Sequence, residues 1–497
     1  MIMFRVMAGT EENTIRFSKS INVLLLLSLF GFMSFLFVSV FSSSTSPFYS
    51  SPYMDDSGIF LLIGKGWTEG KIPYLDLWDN KGPLLYFINA IGFWLTGDKY
   101  GVYILQVVNL TLSLYVIFRL FRVNYGCKVS FIGTVAALLW LTNAITNNNP
   151  AEWLLIPLCL SFYLLYKWLK DYPQKKLSWK YSIIWGSTIG CGFLLRFSDC
   201  SLLFVSLCVV ALFMSYDGRW KEVFRHVVIC LVGFGLIILP FLVYYYSKHG
   251  LGEIWYASFA HNLEYVVHSR AHFYSLYVLG SFFLSYALFI GVILTGLLIT
   301  VFRLPSTKVA VVWLISSIIT LAFLSQTYAR GTYSVASMPL FCFVVFQTDE
   351  LLKKTPLLFA KCCWGIMVLF IAATSIFQIS QEFIYDKQSK DLQVYKVVED
   401  EIPTSDHYSF SAFDIIPDIY VYTSLKPVHR FFIVYSGCLQ DDDSLIERIR
   451  AEYQKKKAKW VLVRKTGYKV CIQDILDQNY DIYKSFIQGY TLYHLKE

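Results

Sequence analysis

Residues 55–83, DDSGIFLLIGKGWTEGKIPYLDLWDNKGP, form a charged and glycine-punctuated segment in an otherwise apolar chain. Hydrophobic runs at 21–41 and 101–121 flank this segment, and each is long enough to cross a membrane as a helix. The segment concentrates carboxylates and lysines, among them Asp55, Asp56, Asp79 and Lys81. The flanking runs therefore indicate the fold class, and the charged segment is where we expect the chemistry.

The composition predicts a polytopic membrane protein. The 497 residues are 56% hydrophobic, 18% aromatic and only 16% charged, with a mean hydropathy of +0.50, which is too apolar for a soluble domain of this size. Apolar runs long enough to span the hydrocarbon core recur almost to residue 380. We expect an all-α membrane domain of about eleven transmembrane helices, near 21–41, 101–121, 129–146, 152–168, 180–195, 199–215, 226–247, 274–302, 308–325, 334–348 and 360–379.

The lysine and arginine distribution predicts the orientation. If residues 1–20 are cytoplasmic, the inner loops hold most of the basic residues that precede residue 380, as the positive-inside rule requires. The first apolar run has no A-x-A cleavage pattern, so we interpret it as a retained helix. The net charge of +8 is then largely a topology signal at the inner membrane surface, and no nucleic-acid partner is expected.

The tail changes character after about residue 380. An odd number of spans puts residues 380–497 outside, beyond a transmembrane domain at 21–379 whose first outer loop is 42–100. Short apolar stretches at 408–413, 431–435 and 460–463 predict strands, and 443–457 predicts a helix with an acidic start and a basic end. We expect a small extracytoplasmic α/β domain, in which an exported compartment would permit Cys438 and Cys471 to pair.

The first outer loop is expected to lie along the membrane surface. Residues 58–69 are typical of a short amphipathic helix, 71–78 of an irregular link, and 83–95 of an apolar helix too short to span. This topology presents Asp55, Asp56, Asp79 and Lys81 on the outer face at headgroup depth. Glu152, Arg196 and Arg330 fall on the same face, where ionisable groups suggest function more strongly together than singly.

The histidines of a second outer loop, near 248–273, do not form a metal motif. His261, His268 and His272 are scattered, and their spacing favours a solvated or interfacial role. No cofactor motif is present, so we assign no cofactor, and a divalent metal is left without support in the sequence.

Acids and cations together just outside a bilayer suit transfer of a sugar from a lipid phosphate. A carboxylate can take the proton from an acceptor hydroxyl, which is otherwise a poor nucleophile. The departing lipid phosphate is already a stable anion and needs cations and hydrogen-bond donors to hold its charge. Lys81 and the arginines would supply these.

The order of an acidic pair, an interfacial helix, Lys81-Gly82-Pro83-Leu84-Leu85-Tyr86 and a further helix resembles the GT-C superfamily of integral-membrane glycosyltransferases. The likeness is to the branch of protein O-mannosyltransferases and lipid A aminoarabinose transferases. There an Asp of the first external loop is the catalytic carboxylate, and a Lys-Pro-Pro-Leu element opens the next helix. This chain has Asp-Asp where the family usually has Asp-Glu, and Lys-Gly-Pro where it has Lys-Pro-Pro.

The resemblance implies roles for particular residues. Asp56 matches the catalytic base best, with Asp55 as the competitor. Lys81 would contact the polyprenyl phosphate, Glu152 would be the second acidic position, and Arg196 and Arg330 would help to bind phosphate, with Asp79 beside Lys81. The implied activity is a glycosyltransferase of the bacterial inner membrane that moves a sugar, with inversion, from a polyprenyl-phosphate donor to a hydroxyl of a glycan, lipid or protein acceptor outside.

Three alternatives are open at the level of sequence. A transporter or flippase for lipid-linked saccharides would need charged residues along a path through the membrane. A polysaccharide polymerase or ligase would use the outer loop that contains His261 and Arg270. A scaffold of envelope assembly would need no chemistry. Release of free polyprenyl phosphate from a loaded carrier would separate a transferase from the transporter and the scaffold.

Overall fold

A computed structural model describes most of the chain, at residues 19–144, 146–262, 276–324, 335–353, 355–384, 388–436, 442–455, 457–486 and 488–496. The chain divides into two compact units. The helical unit comprises Met1–Ser42, Ile104–Val243 and Ser269–Tyr385, and the sheet-containing unit comprises Ser43–Tyr103, Tyr244–His268 and Asp386–Glu497.

Helices dominate the described residues. In chain order they are α1 Lys19–Phe41, α2 Asp55–Thr68, α3 Pro83–Thr96, α4 Tyr100–Phe121, α5 Cys127–Leu141, α6 Pro150–Trp153, α7 Leu155–Leu169, α8 Trp179–Leu195, α9 Ser201–Tyr216, α10 Trp220–Ser247, α11 Leu251–Trp255, α12 Leu276–Val301, α13 Thr307–Leu324, α14 Met338–Leu352, α15 Leu357–Ile384, α16 Leu392–Glu401, α17 Asp418–Tyr422, α18 Asp443–Lys455 and α19 Gln473–Asn479. A helix lies over each of the predicted spans, and the predicted interfacial helices are α2 and α3.

Six helices of the described part are long and apolar enough to cross a membrane: Val23–Phe41, Tyr100–Phe121, Phe197–Tyr216, Trp220–Ser247, Thr307–Leu324 and Leu357–Ile384. Large apolar side chains of α10 are exposed, among them Leu231 at 62% and Val243 at 66%, as expected of a surface that faces lipid. The multi-pass membrane class is confirmed, and the number of eleven crossings stays a prediction.

Small residues let the helices of the helical unit approach closely. A Cβ added at Gly186 of α8 would lie 1.9 Å from the carbonyl oxygen of Cys230, and one at Gly233 of α10 would lie 2.2 Å from that of Ile183. Glycine is common where transmembrane helices pack backbone to backbone. Elsewhere in the unit the core is aromatic, with Trp313 stacked on Phe343 at a centroid distance of 4.1 Å.

The sheet-containing unit carries a four-stranded sheet in the order β1, β2, β4, β3. Its strands are β1 Phe410–Phe413, β2 Trp460–Arg464, β3 Tyr480–Ser485 and β4 Tyr490–Leu495. β1 and β2 are parallel, whereas β4 pairs antiparallel with β2 and β3. Helix α18 packs on the sheet through Leu445, Ile449 and Tyr453, beside Phe413 and Val463. The predicted small C-terminal α/β domain is thereby confirmed.

One predicted strand is wrong and two strands were missed. Residues 431–435 form no strand: Phe431, Phe432 and Val434 are buried, but the segment has no regular secondary structure. Its apolar side chains pack in the core, but its backbone does not pair with a strand of the sheet. The missed strands, β3 and β4, are joined at Gly489, which has a left-handed φ of 82°. Cys438 lies outside the described residues, so its pairing with Cys471 stays a prediction.

Helices α2 and α3, each 14 residues long, pack closely against each other within the sheet-containing unit. A Cβ added at Gly64 would lie 2.5 Å from Asn89 Cβ and 3.0 Å from the backbone nitrogen of Ala90. Helix α3 begins with Pro83 in its first turn, where a missing N–H costs nothing, and ends at Gly97, which has a left-handed φ of 79°. This pair carries the charged segment quoted at the outset.

Candidate active site

The aspartate pair lies at the amino-terminal end of α2. Asp56 is exposed in the first turn, where a carboxylate is favoured by the helix dipole and accessible to a substrate. The side chain of Asp55 is not among those described. No side chain caps this end at Met54. The buried Asp418 instead accepts a hydrogen bond from the Met54 backbone N–H at 3.1 Å.

Helix α17 and the residue before it hold this end of α2 in place. The ring of Pro417 packs on Gly58, where an added Cβ would lie 2.7 Å from Pro417 Cγ. The hydroxyl of Tyr422 donates to the carbonyl of Pro52 at 2.6 Å. Sequence reasoning missed Asp418, because it lies 364 residues from Met54 and only its helix-start pattern, Pro-Asp, marked it.

Lys81 lies in a loop whose backbone forms hydrogen bonds with the hydroxyls of two tyrosines. Tyr74, with a left-handed φ of 70°, donates from its hydroxyl to the Lys81 carbonyl at 2.6 Å. The Tyr86 hydroxyl donates to Asp79 Oδ2 at 2.7 Å and accepts from the Lys81 backbone N–H at 3.2 Å. Lys81 is half-buried, and its Nζ donates to Asn80 Oδ1 at 2.6 Å. The backbone around the ammonium group is therefore fixed.

Both tyrosines act as hydrogen-bond donors at neutral pH. Burial, and then the charge of Asp79, raise the pKa of Tyr86 well above its ordinary value. Burial likewise raises the pKa of Tyr74. The phenols stay protonated, so the Tyr86 hydroxyl keeps its proton for Asp79.

A π-helical turn at Tyr256–Ala260 also contacts the loop that contains Lys81. Ser258 Oγ lies 3.4 Å from the Lys81 carbonyl oxygen, and Asn262 Nδ2 donates to the Asn80 carbonyl at 2.8 Å. Such turns often occur at functional sites. Ser258 and Asn262 are further residues that sequence reasoning missed, since nothing in their local pattern marks them.

His261 follows this turn and is buried, so of the expected solvated or interfacial roles the solvated one is wrong. Its ring packs against Trp78 at a centroid distance of 5.3 Å, and its Nδ1 lies 3.1 Å from Asp442 Oδ2. Trp78 also packs on Phe431 and donates from its backbone to the Arg430 carbonyl. His268 and His272 lie outside the described residues.

Glu152 belongs to the helical unit and is buried in a polar network. Gln106 Nε2 donates to its Oε2 at 2.7 Å, and the Asn147 backbone N–H donates to its Oε1 at 2.5 Å. Asn109 donates to its carbonyl oxygen at 2.6 Å. Glu152, Gln106 and Asn109 line a cavity together with apolar side chains of α1 and α4. The network satisfies both carboxylate oxygens, as a buried acid requires.

Arg196, also in the helical unit, forms a bidentate ion pair that the sequence analysis did not anticipate. Its Nε and one terminal nitrogen each donate to Asp199 at 2.9 Å. The Asp199 side chain is fully buried, and that of Arg196 is 19% exposed. The spacing of three residues was the available signal. This pairing offsets the charge that Arg196 would offer to a phosphate.

The predicted site residues therefore fall into three groups. Asp79 and Lys81 meet at Tyr86, and Asp56 belongs to the same unit. Glu152 and Arg196 belong to the other unit. Arg330 lies outside the described residues. Within the described part of the chain, no group of three or more His, Cys, Asp or Glu side chains is placed to hold a metal ion.

Comparisons with known proteins bear on this arrangement. A family model described as dolichyl-phosphate-mannose-protein mannosyltransferase matches residues 80–244, from the residue before Lys81 to Tyr244 near the end of α10. ArnT from Cupriavidus metallidurans bound to undecaprenyl phosphate is similar over 96% of this chain and 98% of that one, with a TM-score of 0.61 and 12% identity. Its apo structure gives a TM-score of 0.58 at the same identity and coverage.

The chain has the GT-C fold. The resemblance to the GT-C superfamily expected from the sequence is thereby confirmed. The oligosaccharyltransferase from Archaeoglobus fulgidus in its apo form is also similar, over 88% of this chain and 69% of that one, with a TM-score of 0.55 and 12% identity. A search among curated protein sequences gave no match.

The part of the GT-C fold that the family model matches contains Lys81, Glu152 and Arg196 but not the aspartate pair. Asp55 and Asp56 are supported as candidates by their place at the start of α2, before the Lys81 loop of the same unit.

Proposed function

We propose that this protein is a glycosyltransferase that moves a sugar from a polyprenyl-phosphate donor to an acceptor hydroxyl on the outer side of the bacterial inner membrane. The observation that carries the proposal is the Lys81 loop, which Tyr74 and Tyr86 hold in a GT-C fold. ArnT, a neighbour in fold, was crystallised with undecaprenyl phosphate, which is the kind of lipid that the proposed reaction would release.

In the proposed reaction Asp56 takes the proton of the acceptor hydroxyl as its oxygen attacks the anomeric carbon. The bond from that carbon to the phosphate oxygen breaks, the configuration inverts, and the phosphate leaves as an anion. Lys81 offers a positive charge to this anion from a loop whose backbone is already ordered, so little is lost on reaching the transition state. Arg330 is a second candidate for the phosphate, and Arg196 contributes less because Asp199 offsets its charge.

The remaining acids have supporting roles in this proposal. Asp79 orients Lys81 through Tyr86. Glu152 is proposed as the second acidic position, and its network with Gln106 and Asn109 would set its orientation. Asp55 is the alternative base. The acceptor is a glycan, a lipid or a protein.

The test is donor turnover by Asp56→Asn, with Asp55→Asn measured in parallel. A positioned base typically contributes 10²- to 10⁴-fold, so we expect loss of about that size in release of free polyprenyl phosphate from carrier lipid extracted from the native membrane. The Asn side chain keeps the shape of Asp, so expression and melting temperature should not change.

Asp400→Asn is the matched control, because Asp400 is an exposed aspartate on α16 of the same unit. It should turn over donor like the unmodified protein. Full activity of Asp56→Asn with loss in Asp55→Asn would move the base to Asp55, and full activity of both variants would refute the proposed role of the pair.

A further inference from the structure

Three lysines meet in a depression of the sheet-containing unit that the proposed reaction does not use. Lys65 comes from the last turn of α2, Lys71 from the link after it, and Lys426 from the segment that follows α17. We call Lys65, Lys71 and Lys426 the lysine cluster. The depression is also lined by Leu62, Gly66, Glu69, Leu77 and Pro427.

The backbones that carry the lysine cluster are ordered by hydrogen bonds. The Lys71 N–H donates to the Gly66 carbonyl at 2.9 Å, and the Lys426 N–H donates to the His407 carbonyl at 2.8 Å. The stem of Lys71 lies over Gly66, where an added Cβ would be 3.4 Å from Lys71 Cδ. The three side chains are half-buried, so each reaches the depression from a fixed base.

The cluster has an excess of positive charge. Glu69 is the acidic residue that lines the depression beside the three lysines. Within the described ranges, none of the three forms a salt bridge. Burial lowers the pKa of Lys426, the charges of Lys65 and Lys71 lower it further, and Glu69 acts in the opposite direction. Holding three ammonium groups together costs free energy that a bound anion would offset.

We propose that the lysine cluster is an anion-binding site for a phosphate group, separate from Lys81. At neutral pH a phosphate group carries about one negative charge as a diester and about two as a monoester, and it offers several acceptor oxygens, which suits three ammonium donors that have one carboxylate among them. Lys81 does not line this depression. This inference does not depend on the proposed sugar transfer. The bound phosphate group would belong either to a phospholipid headgroup or to a soluble molecule.

The experiment uses the full chain in a maltoside detergent and phosphate-free buffer, with the Lys81→Gln substitution as the background so that the candidate donor site is silent. Inorganic phosphate and, separately, micelles containing phosphatidylglycerol are titrated by calorimetry and by melting temperature. We expect at least one probe to bind and to raise the melting temperature. Binding of inorganic phosphate identifies a soluble ligand, and binding of phosphatidylglycerol alone identifies a headgroup.

In that background, Lys426→Gln and the pair Lys65→Gln with Lys71→Gln should each weaken binding about tenfold or more. Lys469→Gln is the matched control, because Lys469 is an exposed lysine of the same unit, and it should bind normally. Without ligand, Lys426→Gln should melt at no lower temperature than the Lys81→Gln parent, because it removes the charge that Lys65 and Lys71 repel. The proposal would be overturned if neither probe bound, or if the cluster variants bound as tightly as the Lys81→Gln parent. It would also be overturned if unliganded Lys426→Gln melted at a lower temperature than that parent.

Discussion

Tyr86 is the residue that joins Asp79 to the Lys81 loop. One hydroxyl serves both groups, as donor to the carboxylate and as acceptor from the backbone N–H. The tyrosine is fully buried in α3, so its position is fixed by the helix that it belongs to. A buried group that satisfies two partners is costly to remove, because both partners then lack a hydrogen bond.

Replacing Tyr86 by Phe should lower the free energy of unfolding by about 1–3 kcal/mol, because Asp79 Oδ2 and the Lys81 N–H lose a partner. It should also slow donor turnover, since the loop that carries Lys81 is less well fixed. Both effects are measurable on the purified protein, by thermal denaturation in detergent and by release of polyprenyl phosphate.

Tyr408→Phe provides the comparison for Tyr86→Phe, because Tyr408 is 74% exposed in the same unit. It should leave the melting temperature and turnover unchanged. If Tyr86→Phe behaved like Tyr408→Phe, the hydroxyl would have no part in holding the Lys81 loop.

At the scale of elements, the α2 and α3 pair determines where the charged segment lies. The two helices touch at Gly64, where the Asn89 side chain and backbone leave no room for a Cβ. The aspartate pair begins α2, and the Lys81 loop leads into α3. A change in the packing of this pair should therefore move both candidate groups.

Gly64→Ala should cost about 1–3 kcal/mol of stability and reduce turnover, because the added methyl forces the helices apart. Gly252→Ala is a suitable control: Gly252 lies in α11 of the same unit, and nothing lies within 4 Å of a Cβ added there. It should be neutral or slightly stabilising, as alanine is a better helix former. Equal melting temperatures for the two variants would show that the helices do not meet as tightly as Gly64 indicates.

The elements also show which predictions a sequence supports. The helices at the predicted spans follow from long apolar runs, a local signal that needs no knowledge of distant residues. The segment at 431–435 has the composition of a strand, yet its apolar residues are buried without joining the sheet. Strand pairing depends on which segments become neighbours, and local composition does not contain that information.

For the whole molecule, the orientation predicted from the basic residues is open to direct measurement. With the amino terminus inside and an odd number of spans, a green fluorescent protein fused after Glu497 should be dark, and alkaline phosphatase fused there should be active. At the amino terminus the fluorescent fusion should be bright and the phosphatase inactive. The reason is that one reporter matures only in the cytoplasm and the other only outside.

Testing both reporters at both ends supplies the internal control for orientation. A bright fluorescent protein at the carboxyl terminus would mean an even number of spans. The carboxyl-terminal domain would then be cytoplasmic, which is incompatible with its forming one compact unit with the first outer loop.

The sequence by itself determined the membrane class, the helix positions, the small C-terminal α/β domain and the likeness to the GT-C superfamily, because apolar length, charge distribution and a short motif are local properties. The tertiary structure decided which groups lie together: Asp418 with the Met54 backbone N–H, Tyr86 with Asp79 and the Lys81 backbone N–H, Asp199 with Arg196, and Lys426 with Lys65 and Lys71. Two of these four groups, Asp418 with Met54 and Lys426 with Lys65 and Lys71, join residues hundreds of positions apart, and only the packing of the folded chain brings them together.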